Sequence, residues 1–291
     1  MAILTNARMP VETVNFHLWQ PCNMKCRFCF ATFRDVRGTV LPEGHLPRRD
    51  AERVVTLLAD AGFTKITFAG GEPLLCPWII DLIRLAKGLG LTTALVTNGS
   101  LIDSGTIRDL RGILDWVTVS VDSVRSGTLA LIGRMTAARA ADERHYLDLC
   151  DRLKDAGLRL KINTVVTAAN HLEDLTGFIV AARPERWKIF EVLPVQGQNS
   201  GKVEPLLVTP GQFARFVARS RSVEAYGIRV VPEDNDAMIG SYAMVDPAGR
   251  FFDAIGNGYT YSEPILRVGV RQAVSQVTVS RRKFLARGGL Y

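Results

Sequence analysis

The sequence lacks any apolar run long enough to cross a membrane. Nowhere do about 18 apolar residues follow one another, the length that a spanning helix needs. The opening stretch, MAILTNARMPVETVNF, has neither the charged start and apolar middle of a secretory signal nor a long amphipathic pattern. We therefore expect no membrane anchor and a cytoplasmic location.

Cysteine is scarce, and none follows Cys150. Five cysteines, an odd number with three of them close together, exclude the disulfide framework of a small secreted domain. Cys76 and Cys150 stand apart from the other three and are expected to be buried as small apolar side chains.

Long runs of one charge are also missing. The chain has 36 Lys and Arg against 29 Asp and Glu, a net charge of +7, but the positive residues are scattered. A small polyanion suits this pattern as well as a nucleic acid does. We expect no stable nucleic-acid partner.

What the sequence does contain is a regular alternation of strand and helix patterns. The strand-like runs are ETVNFHL, KITFAG, TALVTNGS, WVTVSVD, RLKINTVV and WKIFEVL, each separated by a helix-length segment. At least six βα units predict a parallel sheet, either a barrel or a doubly wound sheet. No Pro, Ser or Gly-rich linker divides the chain, so we expect a single domain.

Several of these strands alternate polar and apolar residues, although strands of a helix-covered parallel sheet are usually apolar throughout. The polar faces carry Lys65, Thr67, Ala69, Thr118, Ser120, Asp122, Arg159, Lys161, Asn163, Arg186 and Lys188. If the apolar faces meet the helices, the polar faces line a common interior, where cations need anions such as phosphates. The alternative is a sheet with one solvent-facing surface.

Three cysteines, Cys22, Cys26 and Cys29, lie in the compact stretch CNMKCRFC directly after the first predicted strand. A closed zinc site needs four ligands, often in paired spacings, and the fourth here would be His17 or Cys76. Three thiolates can instead hold a 4Fe-4S cluster and leave one iron without a protein ligand. We favour the cluster, with zinc as the alternative.

CNMKCRFC and the later FAGGEP together resemble the radical S-adenosylmethionine superfamily, whose signature is C-x3-C-x-aromatic-C with a GGEP-type loop. Within it, TNGSL, LIGR, KINTVV, RWKIF and FLARGGLY are similar to the viperin-like nucleotide-modifying enzymes. The resemblance implies an α/β fold, a partial (βα)6 barrel forming one domain over residues 1–291. Its core would cover residues 11–195, and a C-terminal extension over residues 196–291 would close the barrel and the substrate site.

The resemblance also implies a role for individual residues. The cluster ligands would be Cys22, Cys26 and Cys29. The cofactor contacts would be Phe28, Gly70, Gly71, Glu72, Pro73, Asn98, Ser120 and Arg134, with Arg134 pairing the carboxylate of S-adenosylmethionine. The triphosphate would be bound by Lys65, Lys161, Arg186, Lys188 and Arg287. Asn163 would lie beside the ribose, Tyr242 would pass a proton or hydrogen, and Glu233 would accept from an exocyclic amine of the base.

The implied activity is that of a 3′-deoxy-3′,4′-didehydronucleotide synthase. A 5′-deoxyadenosyl radical would take the 4′ hydrogen of a nucleoside triphosphate, and loss of water would give an antiviral chain terminator. CTP is the expected substrate, with UTP and GTP open. The cofactors would be a 4Fe-4S cluster and S-adenosylmethionine, the partner an electron donor such as flavodoxin or ferredoxin, and the enzyme a monomer.

Compared with the animal members, Ala69 stands in place of a serine and Ala286 in place of a lysine, and each change removes a possible polar contact. The region around Tyr259 also differs, which leaves the base open. We expect no counterpart of their membrane-binding amphipathic helix. Two other classes stay as alternatives. A different radical enzyme, acting on GTP or on a peptide, usually has a second cysteine cluster near its C-terminus. A zinc-stabilised nucleic-acid binder would need no iron. Without the resemblance, Arg287 would belong to a frayed basic tail and Tyr242 would be an ordinary strand aromatic.

Overall fold

The computed structural model describes residues 9–137 and 140–290, so the prediction about the first eight residues lies outside it. These residues form a ten-stranded sheet in the order β10-β9-β8-β1-β2-β3-β4-β5-β6-β7. The strands are β1 (Thr13–Trp19), β2 (Lys65–Gly70), β3 (Thr92–Thr97), β4 (Trp116–Ser120), β5 (Arg159–Val166), β6 (Arg186–Glu191), β7 (Arg229–Glu233), β8 (Ala243–Val245), β9 (Arg250–Asp253) and β10 (Thr260–Pro264).

Helices follow most of the parallel strands. They are α1 (Arg48–Asp60), α2 (Ile79–Gly88), α3 (Ser104–Leu110), α4 (Ser126–Ile132), α5 (Glu143–Asp155), α6 (Thr176–Ala182), α7 (Pro210–Ser220), α8 (Asn235–Met238), α9 (Ile265–Val268), α10 (Val270–Val274) and α11 (Arg281–Ala286). No helix in the described part of the chain combines the length and the apolar character that a bilayer-spanning segment requires.

Local sequence signals explain several helix starts. The carboxylates of Asp103 and Asp142 accept from the backbone N–H of Thr106 and His145, which caps α3 and α5. Thr209 and Gln212 form a reciprocal capping box at the start of α7. These caps satisfy backbone donors that the first helical turn leaves without a partner.

The sheet confirms the predicted partial barrel. Strands β1 to β7 are all parallel to their neighbours, and β7 extends the expected six-strand set by one. On the other side of β1, β8 is also parallel, and β9 and β10 continue the sheet antiparallel. The apolar strand faces meet the helices as predicted, since Ile66, Phe68 and Val117 are fully buried in the main apolar core.

The region after residue 195 reaches both sides of the barrel. It supplies β7 next to β6 and β8 next to β1, and only residues 234–242 connect them. Ten Cα steps separate Glu233 from Ala243, and because the residues of α8 rise only about 1.5 Å each, the connection spans about 30 Å at most. Seven strand spacings in a flat sheet would need about 34 Å. The sheet must therefore curl until its two sides approach each other, and residues 234–242 cross the remaining gap.

Helix α11 is held by Phe284, whose side chain is fully buried, and its N-terminus is capped by Ser280. This anchor decides where the final residues lie, because Arg287 and Gly289, directly after the helix, line the interior of the barrel.

Replacing Phe284 with Ala should lower the free energy of unfolding by about 3–5 kcal/mol, because the change leaves a cavity in the apolar core. Urea unfolding followed by circular dichroism measures it. Leu285→Ala is the matched control, since that neighbouring side chain is 44% exposed. Equal losses for the two variants would show that Phe284 does not anchor the helix.

Candidate active site

A cavity of about 290 Å³ lies inside the barrel, close to the smallest volumes usual for small-molecule sites, roughly 300 Å³. The predicted site residues that line it are Cys22, Cys26, Phe28, Cys29, Lys65, Gly70, Gly71, Asn98, Ser120, Arg134, Lys161, Asn163, Lys188, Tyr242 and Arg287. Those that lie behind its wall are Glu72, Pro73, Arg186 and Glu233. The polar strand faces therefore converge on one interior, and the alternative of a solvent-facing sheet surface is wrong.

The three-cysteine loop, residues 22–29, follows β1 and rests on the end of α4. The backbone N–H of Lys25 donates to Gly133 O at 3.3 Å, and that of Arg27 donates to Ile132 O at 2.9 Å. Gly133 adopts a φ of +76°, and a Cβ there would lie 2.4 Å from Lys25 O. A residue larger than glycine would push the loop away.

The glycine pair of FAGGEP packs against the entrance of the same loop. The N–H of Gly71 donates to Trp19 O at 2.5 Å, and a Cβ on Gly71 would lie 2.3 Å from both Gln20 O and Pro21 O. The absence of a side chain therefore lets Gly71 approach the residues that lead into the cysteine loop. Both glycines also face the cavity.

Glu72 is fully buried and its carboxylate is already engaged. One oxygen accepts from Leu74 N at 3.1 Å and Thr97 Oγ1 at 2.8 Å, and the other accepts from Asn98 N at 2.8 Å. Burial raises the pKa of Glu72, and these hydrogen bonds oppose that rise. Glu72 therefore joins the β2 and β3 loops from behind the cavity wall, whereas Gly70 and Gly71 line the cavity.

Asn98 extends this connection to the cysteines. Its amide donates to Asn23 Oδ1 at 2.9 Å, and the amide of Asn23 donates to Ser100 Oγ at 2.9 Å. Sequence reasoning missed Asn23, although it lies inside the motif between Cys22 and Cys26. Its amide contacts residues far along the chain, which a motif alone does not reveal.

The cysteine thiols suit a multi-iron cluster. Burial, with repulsion from neighbouring groups, raises the pKa of Cys26 to about 11 and that of Cys29 to about 12, and burial also raises the pKa of Cys22. Three thiolates sharing one cavity need a strongly cationic partner, which a metal centre supplies.

The two residues considered as a fourth zinc ligand are placed differently. Cys76 is buried in the apolar core, and His17 is surrounded by the rings of Phe30, Phe33 and Phe252. Within residues 9–137 and 140–290, no three Cys, His, Asp or Glu side chains are grouped as a single metal ion would require. The described donors therefore offer no closed zinc site.

Arg134 lies at the cysteine end of the cavity and is held by Asp122. The two side chains form a buried ion pair, and the guanidinium lies 5.6 Å from the centre of the Phe28 ring. Asp122 is itself fixed, since its second oxygen accepts from Val165 N at 2.7 Å. Asp122 was noted as part of a polar strand face, but its role as the partner of Arg134 was missed.

The other end of the cavity is strongly cationic. Lys65, Lys161, Arg186 and Lys188 are each at most 8% exposed. Burial lowers the pKa of Lys65 to about 7 and that of Lys188 to about 8, and burial and the neighbouring cations lower the pKa of Lys161 well below its ordinary value. These groups would regain their charge beside a bound polyanion.

One buried carboxylate, Glu233, lies among these cations. Lys188 Nζ approaches it at 2.5 Å, Arg287 at 3.8 Å, and the hydroxyl of Tyr242 donates to it. Its predicted contact with an exocyclic amine is therefore not favoured, because the carboxylate is outside the cavity wall and already surrounded by donors.

Arg287 is not part of a frayed tail, and that alternative is wrong. Its side chain is 6% exposed, its guanidinium lies 3.6 Å from the centre of the Tyr242 ring, and it donates to Ser241 O at 3.1 Å. Arg186 donates to Gly288 O at 3.1 Å and so fixes the chain just beyond it. Ala286, where the chain departs from the animal members, is exposed and does not line the cavity.

Two further predicted residues face the middle of the cavity. Ser120 and Asn163 are register partners on β4 and β5, and among the residues that the structure describes the buried Oδ1 atom of Asn163 has no hydrogen-bond partner. Tyr259 also lines the cavity, but its hydroxyl donates to Phe30 O at 2.8 Å, beside the cysteine loop.

A parallel barrel with three cysteines after its first strand defines a radical S-adenosylmethionine enzyme, and comparison with known proteins agrees. The family model of the radical SAM superfamily matches residues 19–178. The solved structure of native anSMEcpe with bound AdoMet has a TM-score of 0.69 at 16% identity and covers 94% of this chain and 82% of that chain. At this identity the likeness concerns the fold.

Two curated relatives are named S-adenosylmethionine-dependent nucleotide dehydratase. The protein from Flammeovirga pacifica is 47% identical over 281 residues, which cover 97% of this chain and 96% of that protein. The protein from Lacinutrix mariniflava is 48% identical over 288 residues, which cover 99% of this chain and 60% of the longer relative.

The chain therefore belongs to the radical S-adenosylmethionine superfamily and, within it, to the S-adenosylmethionine-dependent nucleotide dehydratases, the viperin-like family that its motifs resemble. As a member, it is an enzyme that uses a 4Fe-4S cluster and S-adenosylmethionine, as predicted.

Replacing Gly71 with Ala should reduce the iron bound per chain at least severalfold after anaerobic reconstitution, because the new Cβ would displace the entrance of the cysteine loop. Iron analysis and the absorbance of the cluster measure this. Gly88→Ala is the control, since nothing lies within 4 Å of a Cβ at the end of α2. Full iron content in the Gly71 variant would contradict the packing argument.

Proposed function

We propose that the enzyme dehydrates a nucleoside triphosphate to its 3′-deoxy-3′,4′-didehydro form, with CTP as the expected substrate. The observation that carries this proposal is the cationic end of the cavity, where Lys65, Lys161 and Lys188 are buried with lowered pKa values. Burying several cations costs free energy unless an anion joins them. A triphosphate supplies that anion, and the relatives' name supports a nucleotide.

The strand register supports one orientation of the substrate. Lys161 and Arg186 are register partners in a lower layer of the lumen, and Lys65 begins β2 on the same side. Ser120, Asn163 and Lys188 are register partners one layer higher, nearer the carboxyl ends of the strands. With its phosphates on the lower layer, the nucleotide would place its ribose beside Asn163 and below the cofactor. Such positioning is the main contribution a protein makes to radical chemistry.

Reduced cluster and bound S-adenosylmethionine supply the radical that removes a ribose hydrogen. The cysteine loop, Gly71 and Arg134 would hold that pair, and Asp122 would orient Arg134 toward the methionine carboxylate. Residues 234–242 and Arg287 would exclude water from the reacting carbon. An electron donor such as flavodoxin or ferredoxin would deliver the electrons.

Tyr242 is the group best placed to give up a proton or hydrogen as water leaves the ribose. Its hydroxyl accepts from Lys188 Nζ at 2.6 Å, donates to Glu233, and lines the cavity. The lysine would stabilise the oxygen as its hydrogen departs.

The choice of nucleobase would depend on cavity residues other than Glu233. Glu233 no longer supports cytosine recognition, because it contacts the cations instead. The CTP assignment therefore depends on the family resemblance, and a direct comparison of bases tests it.

Anaerobic assays with S-adenosylmethionine and CTP, UTP, GTP or ATP should show one nucleotide, CTP, that stimulates 5′-deoxyadenosine release and appears as a product lighter by one water. Mass spectrometry follows both products. Cys26→Ala should abolish the release, whereas Cys76→Ala, in the apolar core, should retain it. Release without a dehydrated nucleotide would overturn the proposed reaction and leave the radical enzyme.

Tyr242→Phe should keep 5′-deoxyadenosine formation within about threefold but lower the yield of dehydrated nucleotide per 5′-deoxyadenosine at least about tenfold, because the ring remains and only the hydroxyl is lost. Tyr261→Phe is the control, since Tyr261 does not line the cavity. A wild-type product ratio in the Tyr242 variant would remove the tyrosine from the reaction.

Triphosphate binding should take up protons and weaken by about tenfold between pH 7 and pH 9, because the lowered pKa values of Lys65 and Lys188 mean that these groups lose charge over that range. Arg186, Arg287 and Glu233 complete the surrounding charges. Calorimetry in two buffers of different ionisation enthalpy measures the uptake. Lys65→Arg should reduce it, since guanidinium stays protonated. Affinity independent of pH would refute the charge argument.

A further inference from the structure

Trp116 lies between two cavities at the base of the barrel. It begins β4, shares a strand face with Thr118 and Ser120, and is 2% exposed. Those two residues line the main cavity, whereas Trp116 lines a second cavity of about 310 Å³ together with Lys87, Asp115 and Arg159. The indole therefore separates the lumen from the outer cavity.

On the lumen side, the indole contacts two of the predicted phosphate ligands. Lys161 Nζ lies 4.3 Å and Lys65 Nζ lies 5.5 Å from the ring centre, within the range of about 6 Å for cation–π attraction. The neighbouring cations repel these ammonium groups, and burial opposes their charge. The electron-rich ring face is a surface that attracts both of them together.

On the outer side, the cations already have anionic partners. The guanidinium of Arg159 lies 3.8 Å from the ring centre and pairs with Glu185 at 2.5 Å, while Lys87 pairs with Asp115 at 2.6 Å. The Arg159–Glu185 pair therefore places a cation against the ring from outside. Both ion pairs also leave the outer cavity a weaker site for phosphate than the lumen.

We propose that Trp116 is the floor of the phosphate site, a positioning residue that holds the ammonium groups of Lys65 and Lys161 and sets the length of the polyphosphate chain that the lumen accepts. The inference rests on the proposed nucleoside triphosphate substrate and names the residue that limits how many phosphates this substrate carries. A chain of three phosphates ends at the indole, and a fourth phosphate would have to pass it.

The test compares three variants by calorimetry with CTP, pyrophosphate, tripolyphosphate and tetrapolyphosphate. Trp116→Phe keeps a ring face, and its tripolyphosphate affinity should stay within about threefold of wild type. Trp116→Leu keeps apolar bulk without the ring, and should lose about tenfold. Trp116→Ala opens the floor, and should shift the ratio of tetrapolyphosphate to tripolyphosphate affinity about tenfold toward the longer chain. Thermal unfolding confirms that each variant folds.

Two results together would contradict the proposed role of Trp116. The Phe and Leu variants would lose equal tripolyphosphate affinity, and the Ala variant would keep the wild-type ratio of tetrapolyphosphate to tripolyphosphate affinity. If the Ala variant does not fold, the Phe and Leu pair decides by itself. A wild-type protein that binds neither CTP nor tripolyphosphate would instead overturn the proposed substrate. The two failures are therefore distinguishable.

Discussion

Repulsion among buried cations is the constraint on which the rest of this structure depends. Five positive side chains from β2, β5, β6 and the C-terminal segment meet in and around one lumen, where the carboxylate of Glu233 contacts two of them, Lys188 and Arg287. In a low-dielectric interior such groups must be paired, neutralised or stabilised by the electron-rich face of an aromatic ring. The structure uses all three: an ion pair at Lys188, lowered pKa values at the lysines and an aromatic face at Trp116.

At the opposite end of the cavity, the cysteine loop is held by close backbone contacts and hydrogen bonds. Gly71 and Gly133 allow two separate parts of the chain to touch the cysteine loop closely, and Glu72 joins the neighbouring loops through three hydrogen bonds. The loop is thus held by rigid elements rather than by its own sequence. A cluster site built in this way keeps its geometry as electrons enter and leave.

Much of this arrangement could be predicted from sequence, because the alternation of side chains between the two faces of a strand is a local property. The alternation in KITFAG and RLKINTVV places Lys65 and Lys161 on the inner face, and the structure agrees. The engagement of Glu233 and the burial of Arg287 could not be predicted in the same way. Both depend on contacts between β6, β7, residues 234–242 and the end of the chain, and no local pattern encodes those distances.

The pairing of β1 with β8 has a consequence for how the protein is made. Val14 finds its partner Ala243 only after most of the chain has left the ribosome, so one flank of β1 stays an unpaired edge during synthesis. Such edges invite association with other chains, and pairings between distant segments form slowly. A nascent or truncated chain that ends before β8 therefore exposes the unpaired edge of β1 beside its cysteines. Chaperones would have to cover this edge until β8 is synthesised.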